Sequence, residues 1–166
     1  MKGVTHQLFA TSCVGLALSS GLYEQSLLFA FPVAAAGALL PDMDDPRSKL
    51  GRKLGPISEL INQFAGHRHF FHSLPFLAAV AWLAWMINQQ LPIVPENLWL
   101  SFVIGVGSHL LGDMFFGRTG VRLFWPMTTR IRLLPECWSV GGFHEIVFNL
   151  CCMAATALFS GVIGSF

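Results

Sequence analysis

Histidines and aspartates of this chain lie in short stretches beside apolar segments, a pattern typical of a buried metal centre. His109 and Asp113 are four residues apart in an otherwise apolar run. On a helix, both side chains would lie on one face, about one turn apart. An imidazole and a carboxylate at that spacing can bind one ion or two adjacent ions. The alternative is a hydrogen-bonded pair that fastens two helices, but within a membrane span the cost of burying ionisable groups favours a function.

A second candidate stretch is acidic. Asp42, Asp44 and Asp45 directly follow an apolar run and lie between Pro41 and Pro46. Three carboxylates this close repel one another, and the flanking prolines restrict how far they can spread. A metal ion would compensate the charge; the alternatives are a solvated turn paired with nearby bases and a helix-capping role. We predict that Asp42 and Asp44 are metal ligands and that Asp44 also takes part in catalysis.

Three histidines, His67, His69 and His72, fall within six residues of one another. We predict that His67 and His72 bind metal. Arg68, between them, cannot be a ligand, but its guanidinium suits the anionic oxygens of a phosphoester, so we predict a catalytic role for it.

The remaining candidates are His6, His144 and Glu145. A lone histidine such as His6 is more often an interfacial side chain than a ligand, and we include it because it lies at a segment end like the others. His144 and Glu145 would point about 100° apart on a helix, so only one of them should face a site. Asp45, His69 and His144 stay open as ligands. The predicted metal ligands are His6, Asp42, Asp44, His67, His72, His109, Asp113 and Glu145, and the predicted catalytic residues are Glu145, Asp44 and Arg68.

Histidine and carboxylate ligands without thiolate suit zinc, with manganese or iron as alternatives. Two or three zinc ions would activate a water molecule and neutralise a phosphoryl or carbonyl oxygen. The four cysteines show no Cys-x-x-Cys spacing and are expected to be small core residues.

The elements that must position these residues are predicted to be membrane helices. Hydrophobic residues make up 54% of the chain and charged residues 11%, and the mean hydropathy is +0.59, values typical of a protein in lipid. Apolar runs at 4–22, 22–40, 74–91, 98–116 and 146–166 are long enough to cross a bilayer. We therefore predict a single all-α membrane domain over residues 1–166, with about five transmembrane helices.

The distribution of cations predicts how these helices are oriented. All 10 lysines and arginines lie at the N-terminus or in the connections 41–72 and 117–142. This asymmetry predicts that the N-terminus and both long loops are cytoplasmic and that the C-terminus is outside. Every candidate ligand then falls at the cytoplasmic face. Both loops are expected to contain short interfacial helices, one at 56–64, and to fold over the ligands as a lid.

At these residues the chain resembles the YdjM-like family of bacterial inner-membrane proteins, described as membrane-bound metal-dependent hydrolases. The resemblance rests on His6, on the run 40–46 with Ser48 and Gly51, on 66–68 with His72 and Ser73, on Ser108, His109 and Asp113, on the run 120–126, and on Glu145. It implies an inner-membrane location and metal-dependent hydrolysis. That family looks distantly similar to the zinc-dependent phospholipase C and P1 nuclease group, whose trinuclear zinc sites include a His-x-x-x-Asp helix. The likeness implies phosphoester hydrolysis.

Two functions from different classes follow from the sequence. The first is a hydrolase that cleaves a phosphoester of a membrane lipid at the cytoplasmic face, with a basic rim formed by Arg47, Arg52, Lys53, Arg68, Arg118 and Arg122. The alternative is a non-catalytic metal-stabilised scaffold or a metal or proton transporter. Transport is disfavoured because no series of charges crosses the middle of the spans. No nucleic-acid partner is expected, because the chain has no basic stripe or binding motif. The sequence does not indicate an oligomeric state.

Overall fold

The computed structural model describes residues 2–65, 69–117, 119–135, 138 and 140–161, and over these residues the chain is all-helical. This confirms the all-α part of the predicted fold class. The helices are α1 (Gly3–Ser19), α2 (Leu27–Gly37), α3 (Lys49–Leu54), α4 (Pro56–Ala65), α5 (Leu74–Gln90), α6 (Leu98–Phe116) and α7 (Phe143–Phe159). Two 3₁₀ turns follow α2 and precede α5, at Pro41–Asp44 and Phe70–His72.

Helix α6 is the centre of the bundle: it packs against α1, α2 and α5, while α7 packs against α1. Glycines bring α2 and α6 together closely. A Cβ at Gly105 would collide with the backbone of Ala34, and a Cβ at Gly37 would collide with the backbone of Phe102. Small residues at such crossings let two helix backbones touch. This close approach fixes the second half of α2 against Phe102 and Gly105 of α6.

By length and composition, two described segments are long and apolar enough to cross a membrane, Leu27–Asp44 and Leu98–Phe116. This is fewer than the five predicted spans. Helices α1, α5 and α7 have 17 residues each. At 1.5 Å per residue they measure about 26 Å, against a hydrocarbon core of about 30 Å. The helix predicted at 4–22 ends before Gly21, which adopts a φ of 72°. The predicted span 146–166 extends beyond the described residues.

The first long connection contains α3 and α4. Helix α4 confirms the helix predicted at 56–64; Ile57 and Leu60 on it are 58% and 54% exposed, whereas Ser58 is buried. The short helix α3 was not predicted. It begins at Ser48, whose hydroxyl accepts a hydrogen bond from the amide of Gly51 at 2.7 Å, a local cap that satisfies an otherwise unpaired helix donor.

The second long connection differs from the prediction, since residues 119–135 form no helix. Val121 and Ile131 pair instead in an isolated antiparallel bridge, and proline at 126 removes a helix donor. The connection nevertheless folds back on the bundle as expected. The carbonyl of Leu123 accepts from the amide of Leu74 at 2.8 Å, and the amide of Leu133 donates to the carbonyl of Met114 at 2.8 Å.

Candidate metal centre

The predicted pair on α6 is buried on one face of that helix: His109 is 0% exposed and Asp113 is 1% exposed. Nδ1 of His109 lies 2.6 Å from the carbonyl oxygen of Ala38, just past the end of α2. A carbonyl can only accept, so Nδ1 carries the proton and donates. In the neutral ring this leaves a lone pair on Nε2, the tautomer that a metal requires.

Three other predicted ligands lie close to the α6 pair. Nε2 of His109 is 3.2 Å from Nε2 of His72 and 3.6 Å from Oδ1 of Asp42. Oδ2 of Asp113 is 3.5 Å from Nε2 of His72, and its Oδ1 is 3.4 Å from Nε2 of His6. The rings of His6 and His109 are stacked, with their centroids 3.7 Å apart. We call these five residues the His/Asp cluster.

The spacing of the cluster fits divalent metal. Nitrogen and oxygen ligands bind zinc at about 2.0–2.1 Å, so two ligand atoms of one tetrahedral ion are about 3.4 Å apart. The separations of 3.2–3.6 Å around Nε2 of His109 and Nε2 of His72 match this value. Among the described residues, two groups of three have ligand atoms that all lie within 4.8 Å of one another: His6 with His109 and Asp113, and Asp42 with His72 and His109. Asp113 directs one oxygen toward each group, which is the geometry of a bridging carboxylate.

Burial strengthens the case for a cation. His6, His72, His109 and Asp113 are each at most 1% exposed, and burying carboxylates is costly unless a cation compensates them. Nδ1 of His6 is buried and has no hydrogen-bond partner among the described residues. Asp42 differs, because 19% of its side chain is exposed. The cluster therefore opens to its surroundings at Asp42.

Asp44 lies behind His72. Its Oδ2 is 3.6 Å from Nδ1 of His72, whereas the other ring nitrogen, Nε2, faces the cluster. Asp44 is fully buried and belongs to neither group of three. A carboxylate at the remote nitrogen of a histidine is the arrangement that orients metal-binding imidazoles. The geometry thus favours an orienting role over the predicted ligand role.

The turn that carries Asp42 and Asp44 is fixed by side chains of the first long connection. The carbonyls of residues 42, 43 and 44 accept hydrogen bonds from Ser48 at 2.8 Å, Ser58 at 2.8 Å and Asn62 at 2.6 Å. From the sequence, Ser48 was named only as part of the family resemblance, without a role, and Ser58 and Asn62 were missed. Isolated serines and an asparagine in a polar loop carry no periodic signal, and their partners are backbone atoms up to 18 positions away.

Glu145 does not join the described cluster. Its Oε1 accepts from the amide of Lys2 and from the hydroxyl of Thr5, each at 2.8 Å, and its Oε2 accepts from the amide of Gly141 at 2.5 Å. It belongs to neither group of three. These bonds fasten the start of α7 to the start of α1. Neighbouring His144 stacks on Trp138, with the ring centroids 4.4 Å apart.

The remaining candidates are His67, Arg68, Asp45, His69 and the cysteines. His67 and Arg68 lie outside the described residues. The carboxylate of Asp45 accepts from the amide of Arg47 at 2.9 Å, and His69 immediately precedes the turn that carries His72. Cys13, Cys151 and Cys152 have free thiols.

A cationic cavity of about 520 Å³ lies at the start of α1 and the end of α2. It is lined by Gln7, Leu39, Lys49, Leu50, Arg52 and Lys53. Gln7 follows the cluster residue His6 in α1, and Leu39 follows Ala38, the partner of His109. Positive charge is therefore concentrated at the same ends of α1 and α2 as the cluster, where it would attract an anionic group.

Comparison with known proteins gives a consistent family assignment. The model of the family described as YdjM inner membrane protein matches residues 1–165. The chain is 34% identical over 146 residues to the Bacillus subtilis protein YvsG, covering 87% of this chain and 85% of that one. It is 37% identical over 140 residues to the Escherichia coli inner membrane protein YdjM, covering 80% and 69%. It is 34% identical over 130 residues to the Escherichia coli inner membrane protein YbcI, covering 77% and 68%. No solved structure matches, and the likeness to phospholipase C and P1 nuclease stays a prediction.

Proposed function

Since this chain belongs to the YdjM family of inner membrane proteins, we propose that it is a membrane-embedded, metal-dependent hydrolase that cleaves a phosphoester of a membrane lipid. The observation that carries the proposal is the buried His/Asp cluster, whose ligand atoms are spaced for divalent metal. Ionisable groups buried in a membrane protein are costly and are retained for function. An anionic, lipid-borne substrate accounts for the cationic cavity at the same helix ends as the cluster.

The proposed topology has five membrane-crossing helices, α1, α2, α5, α6 and α7, with the N-terminus and the cluster on the cytoplasmic side. The contacts of the cluster support this alternation. The starts of α1 and α5, carrying His6 and His72, meet the end of α2 near Asp42 and the second half of α6. Glu145 joins the start of α7 to the start of α1. The chain's cations belong to this same side.

In the proposed centre, Asp42, His72 and His109 would hold one divalent ion, and His6 and Asp113 would contribute ligands to a second. Zinc suits this ligand set best, with manganese or iron as alternatives. When bound, such ions supply the Lewis acidity that polarises a phosphoryl oxygen and activates water.

The chain's own residues prepare this chemistry. The carbonyl of Ala38 accepts a hydrogen bond from Nδ1 of His109, and the carboxylate of Asp44 lies next to Nδ1 of His72, on the side of the ring away from the cluster. Lys49, Arg52 and Lys53 line the cavity that draws the phosphate toward the cluster. Asp42, the most exposed member of the cluster, marks the side from which the substrate enters. Glu145 was predicted as a metal ligand and a catalytic residue, but its oxygens already accept three hydrogen bonds, so we assign it to the α1–α7 contact.

The test is to purify the protein in detergent, measure bound metal by mass spectrometry, and follow the release of phosphate and phosphorylated headgroups from a panel of phospholipid vesicles. We expect bound zinc, manganese or iron and turnover of at least one lipid. His109→Ala should lose both while still inserting into the membrane. The matched control is His144→Ala, which removes an imidazole stacked on Trp138 outside the cluster and should keep both. A preparation without divalent metal, or full turnover by His109→Ala, would refute the proposal.

A second candidate is a metal-stabilised scaffold. It is favoured by the convergence of α1, α2, α5 and α6 on one buried cluster that is exposed only at Asp42. In that case a chelator would lower the unfolding temperature, because an ion that binds only the folded state stabilises it. Such metal-dependent stability without turnover on the full lipid panel would distinguish the scaffold from the hydrolase.

A further inference from the structure

An apolar groove of about 410 Å³ lies between α2, α5 and α6. On α5 it is lined by Val80, Leu83, Ala84 and Ile87, which share one helix face, and on α6 by Trp99 and Phe102. Its volume lies within the range of about 300–1,000 Å³ that is typical of ligand pockets.

One end of the groove lies at the turn that carries Asp42 of the cluster. Leu40 lines the groove, and the next residues, Pro41 and Asp42, form the turn with the exposed cluster carboxylate. Leu39, on the preceding position, lines the cationic cavity. The end of α2 therefore has an apolar groove and a cationic cavity beside it, the pair of surfaces that an anionic lipid needs for its chain and its headgroup.

The opposite end of the groove lies near Asn88. The side chain of Asn88 is 8% exposed; it accepts from the amide of Trp99 at 3.2 Å and donates to the carbonyl of Pro95 at 3.5 Å. These bonds join the end of α5 to the α5–α6 connection and to the start of α6 at this end of the groove. Trp99 precedes His109 by ten positions on α6, a distance of about 15 Å along the helix.

A chain that follows the groove from Leu40 to Trp99 therefore runs from the side of the cluster toward the α5–α6 connection. A lipid whose phosphate lies at the cluster must extend its chains away from the headgroup layer, along the direction in which the groove runs. We propose that the groove binds one acyl chain of the phospholipid whose phosphate is presented to the His/Asp cluster. The inference rests on the proposed function and names its substrate class as a long-chain phospholipid.

The proposal is tested with a phospholipid that carries a photoreactive diazirine in the middle of one acyl chain. Detergent-solubilised protein is irradiated with limiting amounts of this lipid, and the labelled peptides are identified by mass spectrometry. We expect saturable labelling of groove residues of α5 and α6, competed by unlabelled long-chain phospholipid. Labelling that concentrates on the exposed Trp82 and Trp85 face of α5, or that does not saturate, would mean ordinary bulk lipid and would overturn the proposal.

Two alanines of α5 provide a matched pair of variants. Ala84→Phe places a ring in the groove and should reduce the labelling at least tenfold. Ala78→Phe makes the same change at an exposed position that does not line the groove, and labelling should be unchanged. Equal labelling of the two variants would contradict the inference.

A chain-length series on the unaltered protein avoids any effect of substitution on folding. Competitor phospholipids of increasing acyl length should bind progressively more tightly until the groove is filled and then show no further gain; affinity independent of length would overturn the inference.

Phosphate release is measured in parallel. Saturable groove labelling without release of phosphate by any metal-loaded preparation would refute the hydrolase and leave a lipid-binding groove. Turnover that Ala84→Phe does not reduce would refute the groove alone.

Discussion

At the scale of single residues, His72 shows how the centre is built, because both of its ring nitrogens have a carboxylate neighbour. Nε2 faces Asp113 at 3.5 Å and Nδ1 faces Asp44 at 3.6 Å. A ring held between two carboxylates can present only one nitrogen to a metal. The orientation of His72 therefore depends on Asp44, although Asp44 stands outside both groups of candidate ligands.

Asp44→Asn tests this orienting role. The neutral amide keeps the shape but weakens the contact with Nδ1, so we expect about a 10–100-fold loss of metal affinity with the same metal stoichiometry at saturation. Metal titration followed by mass spectrometry gives both quantities. Asp45→Asn, one position along the chain with its carboxylate bonded to the amide of Arg47, is the control and should bind as tightly as the parent. A lower stoichiometry in Asp44→Asn would show that Asp44 is a ligand.

Glu145→Gln separates a structural role from a catalytic one. The amide can still accept from Lys2 and Thr5 through its oxygen, but it loses the charge-assisted bond to the amide of Gly141. We expect a loss of about 1.5–3 kcal/mol in the free energy of unfolding, with metal content unchanged. Unfolding in detergent with and without metal measures both, and exposed Glu59→Gln serves as the control. If Glu145→Gln loses bound metal while its free energy of unfolding is unchanged, Glu145 is a metal ligand.

Much of the cluster was predictable from residue type and position. His109 and Asp113 share a helix face by spacing alone, and His6, Asp42 and His72 were recognised because they lie at segment ends. Their supports were not predictable. Ala38 acts through its backbone carbonyl, and Ser58 and Asn62 act on carbonyls of a distant turn. Any residue type can supply a carbonyl, so no sequence pattern marks such contacts.

At the scale of elements, the contact between α2 and α6 sets the geometry of the centre. The apolar runs predicted the positions of the long helices, since hydrophobic length is a strong signal. The extents of α1 and α2 were overestimated, because the residues between them form a turn at Gly21 despite their apolar neighbours. The six-residue α3 was missed, since it is too short for a helical period to be recognised.

Gly105→Ala tests the α2–α6 contact. The added Cβ meets the backbone of Ala34, so α2 must move away from α6, carrying with it the Ala38 carbonyl and Asp42. We expect a destabilisation of about 1–3 kcal/mol, as in other overpacked contacts, and weaker metal binding. Gly107→Ala is the matched control, because its Cβ has only the Leu77 side chain nearby, at 3.8 Å. Thermal unfolding of both variants measures the difference, and equal stability would show that α2 and α6 can separate without cost.

At the scale of the whole molecule, the cluster gathers segments that are remote in sequence. Residues near the N-terminus contact residues of α6 and α7 more than a hundred positions away. This arrangement requires the long helices to alternate in direction. Charge asymmetry predicted the same alternation from the sequence, by an argument that used no ligand residue.

Reporter fusions test the proposed orientation in cells. Alkaline phosphatase, which is active only outside the cytoplasm, should be active when fused after Phe166 and inactive when fused after Arg132. A fluorescent protein that folds only in the cytoplasm should give the reverse result. Equal behaviour of the two fusion sites would contradict an odd number of membrane crossings between the second long connection and the C-terminus.

The hydrogen bonds from Ser48, Ser58 and Asn62 to the turn at Pro41–Asp44 have a practical consequence for engineering the chain. Surface loops usually accept inserted epitopes. Here an epitope placed between residues 48 and 62 would pull on the carbonyls that hold Asp42 and Asp44, and would disturb the centre from a position that looks peripheral. The connection at 91–97, on the opposite side of the bundle from the cluster, is the better place for a tag.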